Sequence, residues 1–177
     1  MGTAPAKYEI DQAAEAPHCN VLLLCTGNSA RSILAAAIRN HKRHPNFTAD
    51  SAGSFPRGAI HPIALKQMEL SRVPTDSLRS KSWDEYAEPD APKMDFILTL
   101  CDNAAGEVCP IWPGQPVTAH WGMPDPAAVS GTPEEIERAF RETFMILERR
   151  ISLFLCLPLP NLETLAIKYE VDNIGAR

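Results

Sequence analysis

Apolar positions along the chain fall into two alternating rhythms. Short apolar runs recur at "CNVLLLC" (19–25), "NFTADSA" (46–52), "KMDFILTL" (93–100) and "PVTAHW" (116–121). Runs of this length, with little strict alternation, suit strands buried on both faces. Helical spacing fills the gaps between them. Ile33, Leu34, Ala37 and Ile38 share one helix face after the first run. "HPIALKQMELSR" (61–72) predicts a second helix, with Ile63, Leu65, Met68 and Leu70 partly periodic. The clearest helix is "TPEEIERAFRETFMILERRISLFL" (132–155), where Ile136, Phe140, Phe144, Leu147, Ile151 and Phe154 step by three or four into one stripe. Thr132 can cap it, Pro133 suits its first position, and Glu135 completes a capping box. Strands alternating with helices predict an α/β fold, a parallel sheet covered on both faces, with ligands bound beyond the carboxyl ends of the strands.

The ends of the chain read differently. Residues 1–17, "MGTAPAKYEIDQAAEAP", have no apolar core and predict a disordered arm with no targeting segment. The main domain is expected over 18–156. Residues 157–177 form an extension, with a short helix at about 162–171 after a hinge at "LPLP"; such a tail can pack on a second subunit and make a homodimer. No apolar run is long enough to span a bilayer.

Composition narrows the function classes. With 177 residues and 45% hydrophobic content, the chain can bury one real core. A net charge of −5 gives no support to a nucleic acid or an anionic membrane as partner, so any anion site must be built from positioned groups. Five cysteines, an odd number without a secretory signal, point to a reduced, cytoplasmic protein in which a disulfide is transient chemistry.

The stretch "CTGNSARS" (25–32) carries the first chemical signal. It leads from an apolar run into a helix. Gly27 and Asn28 tolerate positive φ, and small Thr26, Ser29 and Ala30 let successive N–H groups turn inward as an anion nest. The helix beginning near Arg31 adds its positive end. Such surroundings lower a thiol's pKa below about 8.5, so Cys25 is expected to be an ionised nucleophile. Arg31 offers a planar fork for two oxygens of a tetrahedral anion, and Ser32 a hydroxyl for the sulfur.

Taken with "DSAGS" (50–54), "MDFILTLCD" (94–102) and "HWGMPDPA" (120–127) in that order, "VLLLCTGNSARS" resembles the phosphate loop of the low-molecular-weight phosphotyrosine phosphatase family, including its arsenate reductase branch. The resemblance covers roughly residues 19–156. It implies a three-layer fold, a four-stranded parallel sheet flanked by helices. It makes Cys25 the nucleophile and Arg31 the anion clamp, in a loop of Thr26, Gly27, Asn28, Ser29, Ala30 and Ser32 that binds the oxyanion. Asp125 matches the general acid, and a proton donor between Pro124 and Pro126 suits expulsion of a poor leaving oxygen. Ser51 is expected to support the loop by a hydrogen bond through Asn28.

Two activities begin with thiolate attack on a tetrahedral oxyanion. A phosphatase then hydrolyses the cysteinyl phosphate, whereas a reductase needs further thiols to pass two electrons. "CDNAAGEVCP" (101–110) supplies Cys101 and Cys109, and Cys101 ends an apolar run on the same expected sheet edge as Cys25. The thioredoxin-coupled branch carries a similar pair at slightly shorter spacing, which implies a disulfide relay from Cys25 to Cys101 to Cys109. Thioredoxin, or glutathione with glutaredoxin, is the implied reductant, with no tightly bound cofactor. Phosphotyrosine-directed members follow the acidic Asp-Pro with aromatic residues, whereas Ala127 and Ala128 stand here. Arsenate reduction is therefore the expected activity. Alternatives are a phosphatase acting on phosphotyrosine or a small ester, and a non-catalytic oxyanion or redox sensor. Zinc on Cys101, Cys109 and His120 lacks the Cys-x2-Cys spacing and a fourth ligand, so no metal is expected. His61 can lie near the mouth; Trp112 can shield an outer disulfide or anchor its loop; His120 can position the acid loop. Cys19 and Cys156 are expected to be structural.

Overall fold

The computed structural model describes residues 17–107 and 110–177. The arm expected over residues 1–17, apart from Pro17, and Cys109 lie outside the described residues. Four strands, β1 (Cys19–Leu24), β2 (Phe47–Ala52), β3 (Phe96–Thr99) and β4 (Val117–His120), form one parallel sheet in the order β2-β1-β3-β4. β1 lies inside, with Leu23 registered on Ser51 of β2 and on Leu98 of β3. That position explains its unbroken apolar run, because both of its faces are buried. Val21 and Leu23 join one core cluster, and Leu22 and Leu24 join another on the opposite face.

The first face is covered by α1 (Arg31–His41), α2 (Pro62–Leu70), α4 (Pro133–Leu155) and α5 (Thr164–Gly175). α4 begins with the capping box of Thr132 and Glu135, and Pro133 is its first residue. Its stripe meets the sheet as the spacing predicts, with Phe140, Phe144, Leu147, Ile151 and Phe154 buried and Ile136 partly so. The rings of Phe47, Phe96 and Trp121 all meet Phe154 edge-on. The second face is thinner. A 3-10 turn at Trp83–Tyr86 and Met94 cover it, with Trp112 edge-on to Trp83. Trp112 is thus an anchor of its loop.

The C-terminal extension folds back on its own chain. Val171 and Ile174 are buried in the main core, and the indole N–H of Trp121 donates to the Val171 carbonyl at 2.9 Å. Gly175 lies so close to the end of β4 that a Cβ there would meet the His120 carbonyl oxygen at 2.6 Å. The face of α5 that carries Val171 and Ile174 is therefore spent inside the protomer, while Leu165 and Tyr169 of the same helix stay exposed. Cys156 is exposed at the C-cap of α4, and Cys19 is half-buried at the start of β1. Among the described residues no helix is long and apolar enough to cross a membrane.

Candidate active site

Cys25 follows β1 directly, and residues 25–30 turn into α1, which starts at Arg31. The loop is held from outside. The carbonyls of Thr26, Gly27 and Ser29 accept from the N–H groups of Phe55, Arg57 and His61 at 3.0, 2.9 and 2.8 Å. With its carbonyls turned to those donors, the loop leaves its own N–H groups for an anion. Asn28 sits at φ 40°, the left-handed region that its short polar side chain tolerates.

The Asn28 amide sets the direction of the hydrogen bonds that reach Cys25. Its Oδ1 accepts from the Lys81 N–H at 2.8 Å, which fixes the amide orientation, and its Nδ2 donates to Ser32 Oγ at 2.8 Å. The Ser32 hydroxyl, already accepting, is left to donate to Cys25 Sγ, 2.8 Å away. Ser51 is buried below the loop, but the Asn28 side chain bonds to Ser32 and Lys81 and not to it. The close support from this side is Gly53, where a Cβ would stand 2.4 Å from the Thr26 carbonyl oxygen and 2.6 Å from that of Cys25. Only a residue without a side chain lets the end of β2 approach that far.

Cys25 is 4% exposed, yet it forms part of the wall of a cavity of about 340 Å³. Arg31 and Asp125 face the same space. The Arg31 guanidinium lies 3.4 Å from Asp125 Oδ2 and donates to the Met123 carbonyl at 3.1 Å. The other Asp125 oxygen accepts from the Ala127 N–H, so the carboxylate also caps the short turn at Pro126–Ala128. Arg150, buried in α4, donates to the carbonyls of Trp121 and Gly122 and pins the start of this acid-bearing loop. Three further lining residues escape sequence reasoning: Phe55, Arg57 and Asn103. Phe55 is 73% exposed, an aromatic ring at the mouth. The "FPR" immediately after "DSAGS" was the available signal, since a bulky ring and a cation stand there just past a strand end.

Burial pushes the Cys25 thiol up from its ordinary value. The hydroxyl and N–H of Ser32 and the Arg31 guanidinium pull it back, while neighbouring Cys101 pushes it up further. The net direction is upward. That corrects the lowered pKa expected from the loop pattern, because water is shut out of the cradle more effectively than its donors compensate.

Cys101 is where the sheet-edge argument places it. It packs with Cys25 and Ala104 in one small buried cluster. Its sulfur accepts from the Ala104 N–H at 3.3 Å, capping α3 (Asp102–Gly106), and lies 3.5 Å from Thr26 Oγ1. His120 is occupied elsewhere, with Nδ1 on Thr99 Oγ1 at 2.9 Å and Nε2 on Asp102 Oδ1 at 2.8 Å, so it ties the start of α3 to the end of β4. Cys101 and His120 thus do not converge, and among the described residues no group of three or more His, Cys, Asp or Glu does so around a metal position. His61 is half-buried: its Nδ1 caps α2 by accepting from the Ile63 N–H, and its ring packs on Phe140.

A cysteine beyond a parallel strand, an amide-lined loop opening a helix, an arginine at the helix start and a facing carboxylate define an oxyanion-handling thiol protein. The matches to known sequences say which. A model of the low molecular weight phosphotyrosine protein phosphatase family matches residues 20–168, and the chain belongs to that family. Curated relatives include arsenate reductases of Halalkalibacterium halodurans and Shouchella clausii, each 34% identical over 76% of this chain and 93% of theirs. Among solved structures, an arsenate reductase in the phosphate binding state superposes with a TM-score of 0.63 at 21% identity, covering 77% of this chain and 96% of that one. A low molecular weight protein tyrosine phosphatase from T. tengcongensis gives 0.61 at 21% identity, covering 76% and 95%. These structures share the fold.

Proposed function

We propose that the protein is an arsenate reductase that works by a thiol relay. The observation that carries this reading is the burial of Cys101 against Cys25, which itself forms part of the wall of the cavity that Arg31 and Asp125 face. A phosphatase has no use for a second thiol there.

Arsenate is received by the loop amides and Arg31. Because burial favours the protonated thiol, Cys25 delivers its proton to the incoming dianion as the Ser32 hydroxyl bond strengthens on the forming thiolate. The sulfur attacks arsenic(V), an As–O bond breaks, and the departing oxygen leaves as water with a proton from Asp125. Cys101 then attacks Cys25. The new S–S bond forms, the S–As bond breaks, and its electron pair stays on arsenic, which departs as arsenite. Cys109 next attacks Cys101 and carries the disulfide outward. A thiol reductant then restores both thiols. Thioredoxin is one candidate, and an arsenate reductase of the same fold from Corynebacterium glutamicum is thioredoxin-dependent. Glutathione with glutaredoxin is the other candidate donor.

The test is disulfide mapping by mass spectrometry after one equivalent of arsenate. A 25–101 bridge is expected in Cys109→Ser and a 101–109 bridge in the wild type. Arsenite release that survives intact in Cys101→Ser would overturn the relay. A phosphatase reading has one feature in its favour, the exposed Phe55 ring at the mouth, which can face an aryl ester where Ala127 and Ala128 cannot. Fast steady turnover of para-nitrophenyl phosphate without arsenate reduction would select it.

A further inference from the structure

Glu107 has no part in the chemistry so far, yet one of its oxygens touches the site. Oε1 accepts a hydrogen bond from Thr26 Oγ1 at 3.2 Å. Oε2 is shielded from solvent and has no hydrogen-bond partner among the described residues. Leaving a buried carboxylate oxygen unpaired is costly, so an arrangement of this kind calls for a reason.

The hydrogen-bond directions supply one. A hydroxyl carries a single proton, and Thr26 donates its own to Glu107 Oε1. In the contact at 3.5 Å between Thr26 Oγ1 and Cys101 Sγ, the donor is therefore the thiol. The Ala104 N–H donates to the same sulfur from the other side, where it can stabilise charge left behind. Thiol, hydroxyl and carboxylate thus form one chain, S–H to O–H to carboxylate.

Resting on the reductase reading, we infer that Glu107 is the proton acceptor for Cys101 in the second step, acting through Thr26 as a positioning residue. As Cys101 Sγ bonds to Cys25 Sγ, its proton passes to Thr26 Oγ1, and the Thr26 proton passes to Glu107 Oε1. The S–As bond breaks in the same event, arsenite leaves with the electron pair and takes its proton from water. No oxidant beyond the bound arsenic(V) is required.

The experiment uses the full chain with Cys19, Cys109 and Cys156 replaced by serine, so that only Cys25 and Cys101 remain. The rate of 25–101 disulfide formation after arsenate is measured from about pH 6 to 9 for Glu107, Glu107→Gln and Glu107→Asp. In a second arm without arsenate, Cys25 is loaded as its mixed disulfide with 2-nitro-5-thiobenzoate, and release of the yellow thiolate reports Cys101 attacking Cys25 sulfur. The other charged groups facing this cavity, Arg31, Arg57 and Asp125, are common to all variants and cancel in the ratio to parent. Glu107→Gln is expected to be roughly a hundredfold slower at the acid end and to converge on the parent toward alkaline pH, as hydroxide replaces the base. Glu107→Asp should recover part of the rate. A ratio that stays constant across pH, or stays at one, overturns the proposal. Should Glu107→Gln fail to fold, Glu107→Ala serves in its place. If arsenate yields no disulfide in the parent, the reductase reading fails, and the nitrothiobenzoate arm still decides the role of Glu107.

Discussion

The loop around Cys25 and the segment after Cys101 lie against each other but are built in opposite ways. The first is tied on every side: carbonyls taken by Phe55, Arg57 and His61, Asn28 fixed between Lys81 and Ser32, Gly53 pressed beneath. The second is a five-residue helix capped by the sulfur of Cys101, held by Thr26 to Glu107 and by Asp102 to His120. Binding a tetrahedral anion needs donors that do not move when charge develops. Moving a disulfide from one cysteine to another needs a segment whose ties are few enough to break. The oxyanion loop is thus held by many ties and its neighbour, among the described residues, by few.

Replacing single residues breaks that division in graded ways. The largest effect is expected for Cys101→Ser, which should reduce arsenite release to background while leaving para-nitrophenyl phosphate hydrolysis at Cys25 measurable. Parallel assays on one preparation check this, and equal loss of both activities would mean that the two regions are one unit. Next comes Gly53→Ala. Its Cβ would collide with two backbone oxygens of the rigid loop, costing roughly 1–3 kcal/mol. Calorimetry should show a melting temperature lower by several degrees, and phosphate binding should weaken with it.

Ser32→Ala removes the hydroxyl that donates to Cys25. Hydrogen bonds to charged groups contribute about 1.5–3 kcal/mol, so iodoacetate should inactivate the variant on the order of ten- to a hundredfold more slowly at neutral pH. The smallest effect concerns His61. Burial and Arg57 hold its pKa below 6.5, while Asp125 opposes them. A depressed histidine pKa adds stability above 6.5 that is lost as pH falls through the folded value. The cause is visible: protonated Nδ1 cannot accept from Ile63. Melting at about pH 5 and 7.5 should therefore narrow the gap between wild type and His61→Asn at the acid end, by less than about 1 kcal/mol, since asparagine caps at either pH.

Much of this was legible in the chain. The buried strand run at 21–24, the capped helix from Thr132 and the sheet-edge placement of Cys25 and Cys101 each follow from local pattern. Asp125 was legible only through resemblance to relatives, because an Asp between prolines is also an ordinary turn. Other features were hidden. Nothing near Lys81 marks it as the partner of Asn28, which lies 53 positions away. Ser51 drew attention within "DSAGS", whereas Gly53 makes the close approach. The packing of Val171 and Ile174 of α5 into the main core was hidden too, because the sequence gives their helix no visible partner.

The pattern of the sequence alone placed the buried strand run, the loop that opens α1 and Cys25 at its start, since each depends on residues close together along the chain. Tertiary structure alone decided the upward push on the Cys25 pKa, the pairing of Arg31 with Asp125 and the chain from Cys101 through Thr26 to Glu107. These rest on burial and on hydrogen bonds between segments remote in sequence, and neither desolvation nor the direction of a shared proton is written in the spacing of residues.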